Sequence, residues 1–177
     1  MKISLLIFCL LLLFRGWLYR QLIHYRPIAA RELIPIQDEA FLASIAEAAQ
    51  DKPLDLPRLR DLAFSLTTRQ LAFTFAPASA HPDTVLATGR ANCVGYAALF
   101  NATAHELIRQ RGMESKLEVI HLVGKLYLFG VDLHQLFRTP FFADHDYILL
   151  RDTRTGETTA TDPSIGDYLW IREVRSE

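Results

Sequence analysis

The chain has 177 residues, enough for one domain with a proper core and thin for two. Its 19 basic and 20 acidic residues nearly cancel, which excludes a basic face for nucleic acid and an acidic tail. Two cysteines, Cys9 and Cys93, make no disulfide framework.

Lys2 is followed by an unbroken apolar run from Ile3 to Phe14. A basic start and an apolar core of about a dozen residues fit a secretory signal, but no small-residue cleavage site follows. Residues 1–26 therefore read as a membrane anchor or uncleaved signal. Trp17, Leu18, Tyr19, Leu22 and Ile23 extend the short core, and Arg15 and Arg20 snorkel. The expected partner of this segment is a membrane and the expected localisation single-pass. Lys2 argues for one orientation and Arg15, Arg20 and Arg26 for the other; the extracytoplasmic side is preferred for the rest of the chain.

Residues 27–36, bracketed by Pro27 and Pro35, read as a linker, and residues 37–177 as one domain. The segment from Ile36 to Gln50 predicts a helix: Asp38 and Glu39 suit its first turn, and Phe41, Leu42, Ile45 and Ala48 share a face. Residues 51–57 interrupt it, and Pro57 opens a second helix with Leu59, Leu62, Ala63 and Leu66 on one side. Residues 70–75 read as extended and 76–83 as a loop. From Asn92 to about Arg111 the chain predicts a helix that is apolar on most sides, hence central and buried, with Gly112 as its cap.

After Gly112 the period changes. Residues 116–124 and 125–130 read as strands, and 131–144 as an irregular excursion. Residues 145–150 and 157–162 bracket a turn at 151–156. Helices first and strands afterwards predict an α+β fold, with a central buried helix packed on an antiparallel sheet.

Three residues could work together. If Arg151 pairs with Gly156, His145 falls opposite Asp162, about 5 Å away on one face. Cys93 stands in the first turn of the central helix, where unpaired backbone N–H groups and the helix dipole favour a thiolate. Cys93, His145 and Asp162 would then be nucleophile, base and orienting carboxylate. The Cys93 backbone N–H, with Gln70 as a second donor, would hold an oxyanion. His145 alternates with Asp144 and Asp146, which puts it on the opposite face from both and argues against a metal site. His105 lies about 18 Å along the helix from Cys93, too far to be the base. His24, His81, His121 and His134 read as structural or surface residues.

The stretches "CVGYAALFNA", "HDYILL" and "TDPSIGDY" resemble the transglutaminase-like, papain-like cysteine superfamily. Its members share a cysteine at the N-terminus of a central helix, a histidine opening one strand and an aspartate, often in an Asp-Pro pair, on the next. The resemblance spans roughly Thr88 to Asp167 and implies a papain/transglutaminase-like core with Cys93, His145 and Asp162 in those places. Thiolate attack on a peptide or protein amide would give an acyl-enzyme, resolved by water in a hydrolase or by an amine in an acyltransferase, with no cofactor. The other reading is a catalytically inactive module of that fold, used for peptide binding or envelope assembly.

Overall fold

The computed structural model describes residues 2–50, 53–136 and 143–177. In chain order the elements are α1 (Lys2–Leu22), β1 (Ile23–Arg31), α2 (Glu39–Ala48), α3 (Leu56–Thr68), β2 (Ala72–Phe73), α4 (Pro82–Thr88), β3 (Arg90–Ala91), α5 (Cys93–Gln110), β4 (Leu117–Leu128), β5 (Val131–Asp132), β6 (His145–Asp152), β7 (Thr158–Thr161), α6 (Pro163–Leu169) and β8 (Arg175–Ser176). The sheet order is β7-β6-β4-β1-β8, with β5 beside β4. All of these pairs are antiparallel except β1 with β8.

Helix α5 is central, as its composition predicts, and most of its residues are buried. Asn92 caps it by accepting the Gly95 N–H at 3.3 Å, and Gly112, at φ 58°, follows its end. Gly95 is required by space: a Cβ there would stand 2.9 Å from the Ser79 carbonyl oxygen. Helices α2 and α3 start at Asp38 and Asp55, whose carboxylates accept the N–H groups of Phe41 and Arg58 at 2.8 Å each. Their apolar faces close the core over α5, where Leu59, Leu99, Phe100 and Leu107 are fully buried; each such side chain is worth about 2 kcal/mol.

The sheet has two unlike faces. Leu117, Val119, Ile148 and Leu150 turn toward α5. Tyr25, Tyr147, Ala160 and Val174 form a second cluster on the other side, with Tyr19 and Ile23 packed against it. Alternation along β6 dictates this split, because Tyr147 and Ile148 must point oppositely.

The N-terminal expectations need correction. Among the described residues no helix is long and apolar enough to cross a membrane. The unbroken run from Ile3 to Phe14 makes about 18 Å of helix, against roughly 30 Å of hydrocarbon. Three of the residues expected to extend or flank it contact the rest of the fold instead. Arg15 Nε donates to the Leu169 carbonyl at 2.7 Å, Arg20 pairs with Glu173 at 2.9 Å, and the Tyr19 hydroxyl meets that of Tyr25 at 2.7 Å. The membrane helix of the expected fold, the membrane partner and the single-pass localisation all fall with that finding.

The expected linker is also reassigned. Residues 23–31 form β1, an interior strand between β4 and β8, and a register shift between Pro27 and Ala29 accommodates the proline. The two strands expected at 116–130 are one long β4, α4 begins within the loop expected at 76–83, and α6 follows the strand expected at 157–162. Of the expected interruption and excursion, residues 51–52 and 137–142 lie outside the described residues.

Candidate active site

Three element ends meet at the site. Cys93 is the first residue of α5, His145 the first of β6, and Asp162 the N-cap of α6. Each position follows from local chemistry. Asn92 takes the Gly95 N–H, which leaves the N–H groups of Cys93 and Val94 at the open end of the helix. Asp162 precedes Pro163, a residue suited to the first helical turn because its missing N–H is not needed there.

The Asp162 carboxylate is buried and saturated. Its Oδ1 accepts the Ser164 N–H at 3.1 Å, the Ser164 hydroxyl at 2.7 Å and the Ile165 N–H at 3.1 Å. Its Oδ2 accepts the Tyr25 hydroxyl at 2.8 Å and His145 Nε2–H at 2.6 Å. With Nε2 engaged, Nδ1 is the ring nitrogen left for Cys93, which lines the same cleft as His145. Tyr25 spends its proton on Asp162, so Tyr19 donates to Tyr25, and the chain runs from Tyr19 through Tyr25 and Asp162 to His145. Tyr25 also packs edge-on against the His145 and Tyr147 rings, at centroid distances of 5.9 and 5.0 Å.

The hairpin reaches this contact by a different register from the one expected. Arg151 pairs with Thr158, and Asp152 with Glu157, rather than Arg151 with Gly156. The turn is therefore residues 153–156, with the Asp152 carboxylate accepting the N–H groups of Arg154 and Thr155. The shift displaces His145 by two residues relative to β7, a whole pleat period, so the two side chains keep one face. Asp162 closes the remaining distance by leaving β7 to cap α6.

Burial disfavours the charged form of His145, but the Asp162 carboxylate and the Cys93 sulfur outweigh it and hold the ring's pKa well above the usual 6.5. Burial likewise pushes Asp162 up, and His145, the Ser164 hydroxyl and the Ile165 N–H overcome it, so its pKa lies below the usual 3.8. Burial and the neighbouring Asp162 charge raise Tyr25 well above 10, which keeps it a donor. The site thus favours imidazolium beside carboxylate.

Cys93 and His145 border a cleft of about 420 Å³ whose other walls include Phe73, Phe75, Leu126, Ile165 and Tyr168. Phe75 and Tyr168 are largely exposed at its mouth. Gln70 is not brought here: it is exposed and lines a separate depression with Asp38 and Leu86. Among the described residues no group of three or more His, Cys, Asp or Glu is placed to hold a metal ion.

Sequence reasoning missed Tyr19, Tyr25 and Ser164. Only Ser164 carried a local signal, as part of the Asp-Pro-Ser start of a helix; Tyr25 lies 137 residues from its partner. It also missed a second cluster, in which buried His121 meets Asp146 at 2.8 Å and Arg31 straddles the same carboxylate at 2.5 and 3.1 Å. In comparisons with known proteins, no family model, no curated protein and no solved structure matches this chain.

Proposed function

We propose that the chain is a cysteine enzyme of the acyl-transfer class, with Cys93 as nucleophile, His145 as acid and base, and Asp162 as the carboxylate that orients it. The observation that carries the reading is the 2.6 Å contact of His145 Nε2 with Asp162, with that ring and Cys93 at the tip of α5 bordering one cleft. In this scheme Sγ attacks an amide or ester carbonyl, and the negative oxygen of the tetrahedral intermediate is met by the Cys93 N–H. Collapse breaks the bond to the leaving group, which takes the His145 proton. Water or an amine then attacks the thioester as His145 accepts its proton, and Sγ departs as thiolate. The resemblance to transglutaminase-like cysteine enzymes supports the same assignment of Cys93, His145 and Asp162. The apolar walls of the cleft suit an apolar acyl group.

The test is an electrophilic thiol probe at neutral pH, read by mass spectrometry on Cys93. Labelling should be at least about a hundredfold faster than for a free thiol and should collapse in His145→Ala. Labelling at the free-thiol rate, unchanged in that variant, would leave a non-catalytic module as the better reading.

A further inference from the structure

The helix-facing side of the sheet carries a pocket of about 410 Å³ that the proposed chemistry does not use. Its polar lining is Arg31 on β1, Asn101 on α5, His121 on β4 and Glu32 at the rim, and its apolar lining includes Ala30, Ile34 and Ala80. Asn101 is 3% exposed, and its Oδ1 is buried without a hydrogen-bond partner among the described residues. A buried acceptor left unmet is costly, so the pocket offers a place for an N–H donor. Arg31 supplies the complement. A guanidinium has five N–H donors; two go to Asp146, and the side chain is 40% exposed where it lines the pocket. Asp146 locks the fork in place and is itself fully buried behind it.

We propose that this pocket binds a free α-amino acid, with its carboxylate on Arg31, its ammonium between Asn101 Oδ1 and Glu32, and its side chain on the alanine and isoleucine wall. The match is of three features in one cavity: a partly exposed cation, an unmet acceptor with an anion at the rim, and a small apolar surface. A simple anion would leave Asn101 unmet and face Glu32, and a simple amine would leave the Arg31 donors unused. Cys93 does not line the pocket, so the site stands or falls apart from the proposed catalysis.

Isothermal titration of the full chain with L-leucine tests it, with L-leucinamide and isovalerate as probes lacking the carboxylate or the ammonium. Leucine should bind saturably at one site, and each truncated probe about tenfold or more weaker. Asn101→Leu, which removes the acceptor at near-equal volume, and Ala80→Phe, which fills the cavity from a loop, should each abolish binding. Cys93→Ala should bind leucine as wild type does. No saturable heat up to about 10 mM leucine overturns the proposal, and so does either truncated probe binding as tightly as leucine.

Discussion

The sheet carries two buried histidine–aspartate pairs, and their difference is instructive. His145 with Asp162 and His121 with Asp146 have nearly the same separation, 2.6 and 2.8 Å. Both carboxylates are fully buried. Their surroundings differ in charge: Asp146 has a permanent cation, Arg31, gripping it from β1. Asp162 is surrounded by neutral donors, a phenol, a hydroxyl and backbone N–H groups, so a compensating positive charge must come from His145 or from nowhere. A close histidine–aspartate contact is therefore not itself a sign of catalysis. The charge balance around the carboxylate differs between the pairs, and of the two histidines His145 is the one that shares a cleft with Cys93.

The largest effect should separate the two pairs outright. Asp162→Asn keeps a helix cap but removes the charge that orients and ionises His145; probe labelling of Cys93 should fall about a thousandfold. Asp146→Asn should leave labelling within about threefold and instead cost about 3 kcal/mol of stability in urea unfolding, because Arg31 and His121 lose their buried partner. If the two substitutions exchanged their effects, the contrast would be wrong.

Tyr25→Phe sharpens the comparison. It deletes one charge-assisted donor to Asp162 without changing shape, which should cost about 2 kcal/mol of stability. It also leaves the carboxylate more dependent on His145, so the ring's pKa should rise further, as read by NMR. A fall would show that Tyr25 matters by packing alone.

The smallest effect is in pH. His145 has a folded pKa above 6.5, so its contribution to stability is complete below 6.5 and is lost as pH rises through the raised value. Asp162 has a folded pKa below 3.8, so its contribution is present above 3.8 and is lost as pH falls through the depressed value. Urea midpoints should therefore decline on both sides of that window, and His145→Gln should flatten the alkaline decline. A wild-type curve as flat as that of the variant would contradict the assignment.

The parts of the fold legible in the sequence are those with local causes. Asn92 and the apolar run after it specify α5, and Asp38, Asp55 and Pro57 start α2 and α3. The Cys93 position and the shared face of His145 and Asp162 followed from helix tip and pleat, and survived a wrong turn register because the error was two residues. Strand β1 was hidden because Pro27 and the basic and aromatic residues around it look like a linker, and its pairing with β4 spans about a hundred residues. The end of α1 was misread because Tyr19 and Leu22 suit a lipid interface and a protein core equally; only the partners of Arg15, Arg20 and Tyr19, more than a hundred residues away in two of the three cases, decide between them. Gln70 had no local signal behind it: it is exposed just after α3 and lines a separate depression.

The most direct measurement is an NMR titration of the imidazole signals, with His145 assigned by its loss in His145→Gln. His145 should remain protonated well above pH 6.5 in the wild-type chain and return toward the ordinary value in Asp162→Asn. A ring that titrates at or below 6.5 in the wild type, unmoved by that substitution, would mean that the sulfur at the tip of α5 has no charged partner.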